Sequence, residues 1–368
     1  MRVAFNATFL GEHHSGISTY AEGVIGSLLE QQHEILLYAS KTPFQNAGLE
    51  LRRTSPLFRA DKGGLSSFCR FAWLQTVLPW LLRNQEVQLF FSPNAEGMLS
   101  PPVRQIVQVH DLIPLFHPDE GPRLARYYRY FLPRVVARSR MVFVDSEHTR
   151  RDLERVFSLP ADNVAVIYPG IREQFFASDS AIPPVGFEAG RYFIFVGSYA
   201  PRKNLDTVVR ALARIASDVR EDLVIVARDD PRAAAIQALA ENLGIRERLR
   251  FLCGLTIPEL TYVYKGATAL VLLSEYEGFG YPPLEAMATG TPAIVSDSTS
   301  LAEVVGTAAI RVPAHDVDAA AAAMRAFARN PDYRSDYSHR GRERAQNFTW
   351  QNSAEQLRVG IARAVSVS

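Results

Sequence analysis

The feature that most narrows the fold of this chain is a rhythm that runs, stops and starts again. In the first half, residues 2–7, 34–39, 87–92, 104–110, 140–146 and 163–169 are short apolar runs that read as strands. Between them, 19–31 and 146–157 carry helical spacing, the latter opening on Ser146 as an N-cap. Strands that alternate with helices lie parallel, because a parallel pair needs a long crossover between its members. Residues 175–191 then mix proline, glycine and small polar side chains without period, as a linker does. Beyond them the alternation resumes, with strands at 192–197, 222–227, 249–254, 268–274 and 292–297. Helices are read at 204–216, 231–244 and 283–290, and the alanine run at 319–323 falls in another helical segment. The second set of strands is almost continuously apolar, as strands covered on both faces are. The predicted class is α/β, with two doubly wound, Rossmann-like domains facing across a cleft. Such sheets bind ligands outside the carboxyl ends of their strands.

Length agrees, since 368 residues exceed what one hydrophobic core usually organises. A formal net charge of +1 gives no reason to expect nucleic acid or a strongly acidic partner. The two cysteines, Cys69 and Cys253, are far apart, which argues against a disulfide framework or a cysteine-built zinc site. Both read as small buried hydrophobes. The N-terminus runs directly into a strand, so no signal peptide is read. No apolar run approaches the roughly 20 residues of a membrane span. The expected location is the cytoplasm, touching a membrane at most.

Chemistry concentrates in 275–292, EYEGFGYPPLEAMATGTP. Glu277 follows a strand and should leave it at the sheet's carboxyl edge. Pro282 and Pro283 suit a helix start, which places Glu285 in the first turn. Gly278 and Gly280 permit close approach and unusual backbone angles. Amides at a helix N-terminus favour an anion such as phosphate, whereas the carboxylates suit sugar hydroxyls. A nucleotide sugar would use both. The plainer alternative is a first-turn acid at Glu285 and a solvated loop residue at Glu277.

Residues 251–306 closely resemble the signature region of retaining glycosyltransferases of family 4, also called group 1, which includes bacterial mannosyltransferases and sucrose-synthase-like enzymes. The resemblance extends to 195–212, to 109–115 and, more loosely, to 15–20, while 40–85 is uninformative. It implies the GT-B architecture, with an acceptor domain at 1–175, a nucleotide-sugar donor domain at 190–348 and a C-terminal helix at 349–368 packing back on the first domain. It implies that Glu285 holds ribose hydroxyls and that Glu277 contacts donor-sugar hydroxyls near the reacting carbon. The amides around Gly278, Phe279 and Gly280 would line the sugar–phosphate pocket, with Ser198, Tyr281 and Leu284 also at the donor. Arg202 and Lys203 would grip the diphosphate, their alternative being a solvated turn before a helix capped by Asn204. Fixed cations in a dry cleft stabilise the leaving group's growing charge, so no metal cofactor is expected.

His110, in the same resemblance, lies beside the donor sugar and the reacting centre. The glycine loop around Gly16 departs from the family pattern, since Ser15-Gly16-Ile17-Ser18-Thr19-Tyr20 replaces a double glycine. His13 and His14 beside it could bind acceptor or be exposed loop residues, and Asp229-Asp230 reads as a turn. The implied reaction moves a hexose from a GDP- or UDP-linked donor, GDP-mannose being the leading choice, to a saccharide or lipid-linked acceptor with retention, in surface polysaccharide biosynthesis. Arg, Trp and Tyr at 68–85 and 123–140 suit a membrane interface, unless Trp73, Leu74, Val77 and Leu78 simply face the core. The rival functions are a sugar-nucleotide epimerase on the same scaffold and a non-catalytic nucleotide-sugar-binding partner subunit.

Overall fold

The computed structural model describes residues 1–10, 16–41, 48–59, 63–177, 181–188 and 190–366. The chain divides into two compact units, Met1–Gly170 with Trp350–Ser368, and Ile171–Thr349.

Among the described residues, the first unit holds one seven-stranded sheet. Its strands are β1 (Arg2–Asn6), β2 (Glu34–Ala39), β3 (Leu49–Arg53), β4 (Leu89–Ser92), β5 (Arg104–Val109), β6 (Met141–Val144) and β7 (Val164–Val166). The order is β3-β2-β1-β4-β5-β6-β7 and every pairing is parallel. Side chains alternate between faces, so Phe5 joins the cluster of Val24, Leu28 and Phe91 while Ala4 joins Leu74, Leu78 and Phe90. The sequence reading omits β3. Its LELRR carries charges on an edge strand and offers no apolar run.

Helix Trp350–Ser366 completes this unit. Ser353, Leu357, Gly360, Ile361 and Ala364 form its buried stripe, and Leu357 and Ile361 enter the core with Phe5 and Phe143. Close approach needs glycine on both sides. A Cβ at Gly360 would stand 2.8 Å from Phe143, and one at Gly23 would stand 2.2 Å from the Trp350 ring.

The second unit holds β8 (Tyr192–Val196), β9 (Asp222–Val226), β10 (Leu249–Leu252), β11 (Ala269–Leu272), β12 (Ala293–Ser296) and β13 (Ile310–Val312). The order is β10-β9-β8-β11-β12-β13, again all parallel. Strand β13 is three residues long, too short for a periodicity to reveal. The described part of 175–191 is not a loose linker. Phe175 is buried beside Tyr264, the Ile182 amide donates to the Pro258 carbonyl, and Phe187 meets Tyr192 edge-on. These apolar anchors bind a proline-rich segment to the second unit.

Two further expectations are corrected. Cys69 is half-buried and Cys253 exposed, because Cys253 follows the last residue of β10 at the surface. In helix Gly64–Arg83, Leu74 and Leu78 are buried and Trp73 partly so, but Val77 and Trp80 are exposed. Among the described residues no helix is long and apolar enough to cross a membrane.

Candidate active site

In a doubly wound sheet, ligands sit where strand order reverses. In the second unit that place lies between β8 and β11, whose neighbours run outward in opposite directions. The loop leaving β8 carries Ser198, Arg202 and Lys203, and the loop leaving β11 carries Glu277 to Gly280. Topology thus joins two motifs that are some seventy residues apart in the chain.

The loops are stitched together. Pro201–Lys203 forms one 3-10 turn, and Asn204 follows at φ 54°, a conformation that asparagine tolerates. Asn204 occupies the N-cap position of helix Leu205–Ile215, as read from sequence, but its side chain makes no cap bond. Its amide nitrogen reaches across to the carbonyls of Leu273 and Ala314, and its oxygen accepts from Thr207. The Glu275 amide donates to the Arg202 carbonyl at 2.8 Å, and Arg202 Nη1 donates to the Tyr276 carbonyl at 3.2 Å.

Glu277 is therefore not a solvated loop residue. It is 9% exposed and accepts from Lys203 Nζ and, at 2.7 Å, from Ser274 Oγ. Arg202 Nη1 lies 3.6 Å from its second oxygen. Burial pushes the Glu277 carboxyl up, but Lys203 and Arg202 outweigh it and hold the group below the usual range. One carboxylate facing two cations leaves one positive charge in excess. The backbone of the loop is pinned as well. The Glu277 amide donates to Thr299 Oγ1, and Ser300 Oγ donates to the carbonyls of Glu277 and Phe279 at 2.8 Å each. Ser274, Thr299 and Ser300 were not picked out from sequence, and Asn204 was read only as a helix cap. Hydroxyls just after strand ends were the available sign.

Gly280 has φ 116°, and a Cβ there would stand 2.6 Å from Leu301. Phe279 and Leu284 are buried, with Phe279 packed edge-on against Tyr281 and Phe348. Leu284 is fully buried, so its side chain supports the site by packing and is not placed to touch a donor.

Helix Tyr281–Thr289, with Gly280 as its N-cap, starts two residues ahead of the 283 read from sequence. Glu285 consequently lies just past the first turn, a correction to the sequence reading. Pro282 and Pro283 have no N–H, so Gly280 and Tyr281 carry the amide donors at this helix end. Glu285 accepts from the Tyr264 hydroxyl at 2.9 Å. Burial raises its carboxyl to about 7, against opposing pulls from Tyr264 and Arg172. Tyr264 and Arg172 also escaped the sequence reading, since each comes from a different element.

In the first unit, His110 follows β5 directly. Its Nδ1 lies 2.6 Å from Asp145 Oδ2 and its Nε2 lies 2.9 Å from the Pro93 carbonyl. Gln108 donates to the other Asp145 oxygen at 2.7 Å and accepts from the Tyr20 hydroxyl at 2.6 Å. Burial alone would lower His110, but Asp145 and the Pro93 carbonyl prevail and hold it above the ordinary histidine range. An oxygen at each nitrogen fixes the orientation of the ring. Gly16 begins helix Gly16–Glu30 and is exposed, whereas His13, His14 and Ser15 lie outside the described residues. Asp230 closes a turn on Arg232, accepting from its backbone amide at 2.9 Å. Among the described residues no three of His, Cys, Asp or Glu gather as metal ligands.

Two doubly wound parallel sheets, one with paired cations and carboxylates at its switch point, define the GT-B class of glycosyltransferase folds. Residues 14–175 match the model of Glycosyltransferase Family 4, and residues 182–344 match that of Glycosyl transferases group 1. The chain belongs to this family. It is 29% identical over 228 residues to the O-antigen chain mannosyltransferase RfbU of Salmonella typhimurium, covering 62% of each chain. It is 27% identical over 289 residues to O-antigen chain mannosyltransferase B of Escherichia coli, covering 75% of this chain and 74% of that one. Its match to RfbU thus stops short of two thirds of that relative's length. Among solved structures, Anabaena HepE in complex with UDP and glucose superposes with TM-score 0.74 and 14% identity, over 98% of this chain and 99% of that one.

Proposed function

We propose that this protein is a retaining, metal-independent hexosyltransferase. It moves mannose or a related hexose from a nucleoside-diphosphate sugar to a saccharide or lipid-linked saccharide in surface polysaccharide biosynthesis. The second unit is the donor domain and the first the acceptor domain. The observation that carries this reading is the cluster of the partly buried Arg202 and Lys203 with the buried Glu277 at the switch point, with one positive charge in excess. Arg202 and Lys203 hold the diphosphate, Glu277 accepts from donor-sugar hydroxyls and Glu285 from the ribose. Ser198, Gly278, Phe279, Gly280 and Tyr281 bring backbone and hydroxyl groups to the sugar–phosphate.

In the proposed step the bond from the anomeric carbon to the phosphate oxygen breaks, and a bond to the acceptor oxygen forms on the same face. The acceptor proton passes to the departing phosphate. Charge grows on that phosphate in the transition state, where the excess cation favours it more than in the ground state. Lys203 and Ser274 hold one Glu277 oxygen in place, which leaves the other to accept from a sugar hydroxyl, and the same-face step gives Glu277 no part as nucleophile. His110, held at both nitrogens, acts as a fixed polar group. Sugar–nucleotide complexes of HepE and the mannosyltransferase names of the relatives support the donor class. The exposed Phe68 and Trp80, and Tyr130 on a helix with three arginines, support contact with the cytoplasmic membrane surface.

Nucleotide release from a panel of GDP- and UDP-sugars, with and without acceptor extract and EDTA, tests the reading. Acceptor-dependent release that persists in EDTA is expected. Epimerised sugar nucleotide or mere binding would select a rival, and release abolished by EDTA would end the metal-free account.

A further inference from the structure

The second unit contains another basic site, at the opposite end of its sheet. Arg191 and Thr268 immediately precede β8 and β11, and they line a cavity of about 770 Å³ together with Lys265, Arg329, Arg334 and Ser335. Its volume is within the range of cavities that hold small molecules. Strand β8 has five residues, so the cavity lies about 17 Å along the sheet from the Arg202–Glu277 cluster. The two are separate places.

Four cations line this cavity, and no aspartate or glutamate does. Two of them have a local reason to be there. Lys265 and Arg329 stand in the last turns of helices Ile257–Gly266 and Val317–Arg329, where the helix dipole favours positive charge. Arg329 also bonds to the Asp218 carbonyl at 3.1 Å and lies 3.8 Å from the Asp218 carboxylate, so its charge is already partnered. The other two have no such reason. Arg334 stands at the start of helix Pro331–Ala345, the end that disfavours a cation. Arg191 precedes an interior strand. Among the described residues, neither guanidinium has an ion-pair or hydrogen-bond partner. Like charges converging on one concave surface repel each other unless something negative joins them.

We propose that this cavity binds a phosphate- or diphosphate-bearing anion, separately from the sugar-nucleotide donor. Guanidinium groups pair with phosphate oxygens through two parallel N–H bonds, and Ser335 supplies a hydroxyl beside Arg334. The anion is either a soluble phosphate ester or the headgroup of a lipid.

Calorimetric titration of the full chain with inorganic pyrophosphate tests this, comparing the wild type with an Arg191→Ala/Arg334→Ala double variant. Both proteins retain the Arg202–Lys203 site, so their difference reports on the cavity alone. The wild type should show two classes of site, and the double variant should lose one, with affinity there falling at least tenfold. Arg334→Lys should restore part of it, and nucleotide release without added anion should be unchanged. Co-sedimentation with phosphatidylglycerol vesicles provides a second arm. Loss of vesicle binding in the double variant would identify a lipid headgroup, and loss confined to pyrophosphate a soluble ligand. Identical behaviour of the two proteins in both arms would overturn the proposal.

Discussion

His110 and Asp145 meet at 2.6 Å between Nδ1 and Oδ2, while the far nitrogen of the same ring faces the Pro93 carbonyl. The ring is therefore held at both of its nitrogens. A histidine held above its ordinary 6.5 adds stability below that pH and loses it as pH rises through its folded value. Asp145→Asn should lower the His110 titration seen by nitrogen-resolved NMR. It should cost about 1–3 kcal/mol in denaturant unfolding near pH 6, less at higher pH. An unshifted His110 resonance in the variant would disprove the coupling.

Glu277→Gln separates catalysis from nucleotide binding. Removing the carboxylate leaves Lys203 and Arg202 unopposed, so free nucleoside diphosphate should bind more tightly while turnover falls by about 100-fold or more. Two partly buried cations that lose their partner should also destabilise the second unit, by about 1–3 kcal/mol at pH 7. Near-normal turnover would strip Glu277 of its assigned role.

Glu285, with its carboxyl near 7, predicts an unusual pH dependence. The folded protein keeps this proton longer than the unfolded chain, so stability falls as pH rises from about 4.5 to about 7. Glu285→Gln should remove that decline and be the more stable protein above pH 7. Its nucleotide affinity should be flat with pH, whereas wild-type affinity should climb through 7 as the carboxylate forms and accepts ribose hydroxyls. Parallel affinity curves for both proteins would contradict this.

Gly280→Ala should lose about 1–3 kcal/mol and most activity, because φ 116° and a Leu301 contact at 2.6 Å both exclude a side chain. Adding Leu301→Ala removes the clash but not the backbone strain, so chemical denaturation should show incomplete recovery at best.

The amino-acid sequence by itself determined the two α/β halves, their parallel strands and the glycine- and proline-bounded turn at 278–283. These follow from short-range causes, namely side-chain periodicity and the backbone angles that glycine and proline allow. The same causes pass over β3, whose edge position tolerates charge, and set the start of the Glu285 helix two residues too late. Only the tertiary structure decided that Lys203 neutralises a carboxylate 74 positions away, that Asn204 ties two loops together instead of capping its helix, and that Tyr264 and Asp145 stand behind Glu285 and His110. Pairings of that kind, and the burial that makes them strong, arise when strands distant in the chain become neighbours in a sheet. No local stretch of residues records that event.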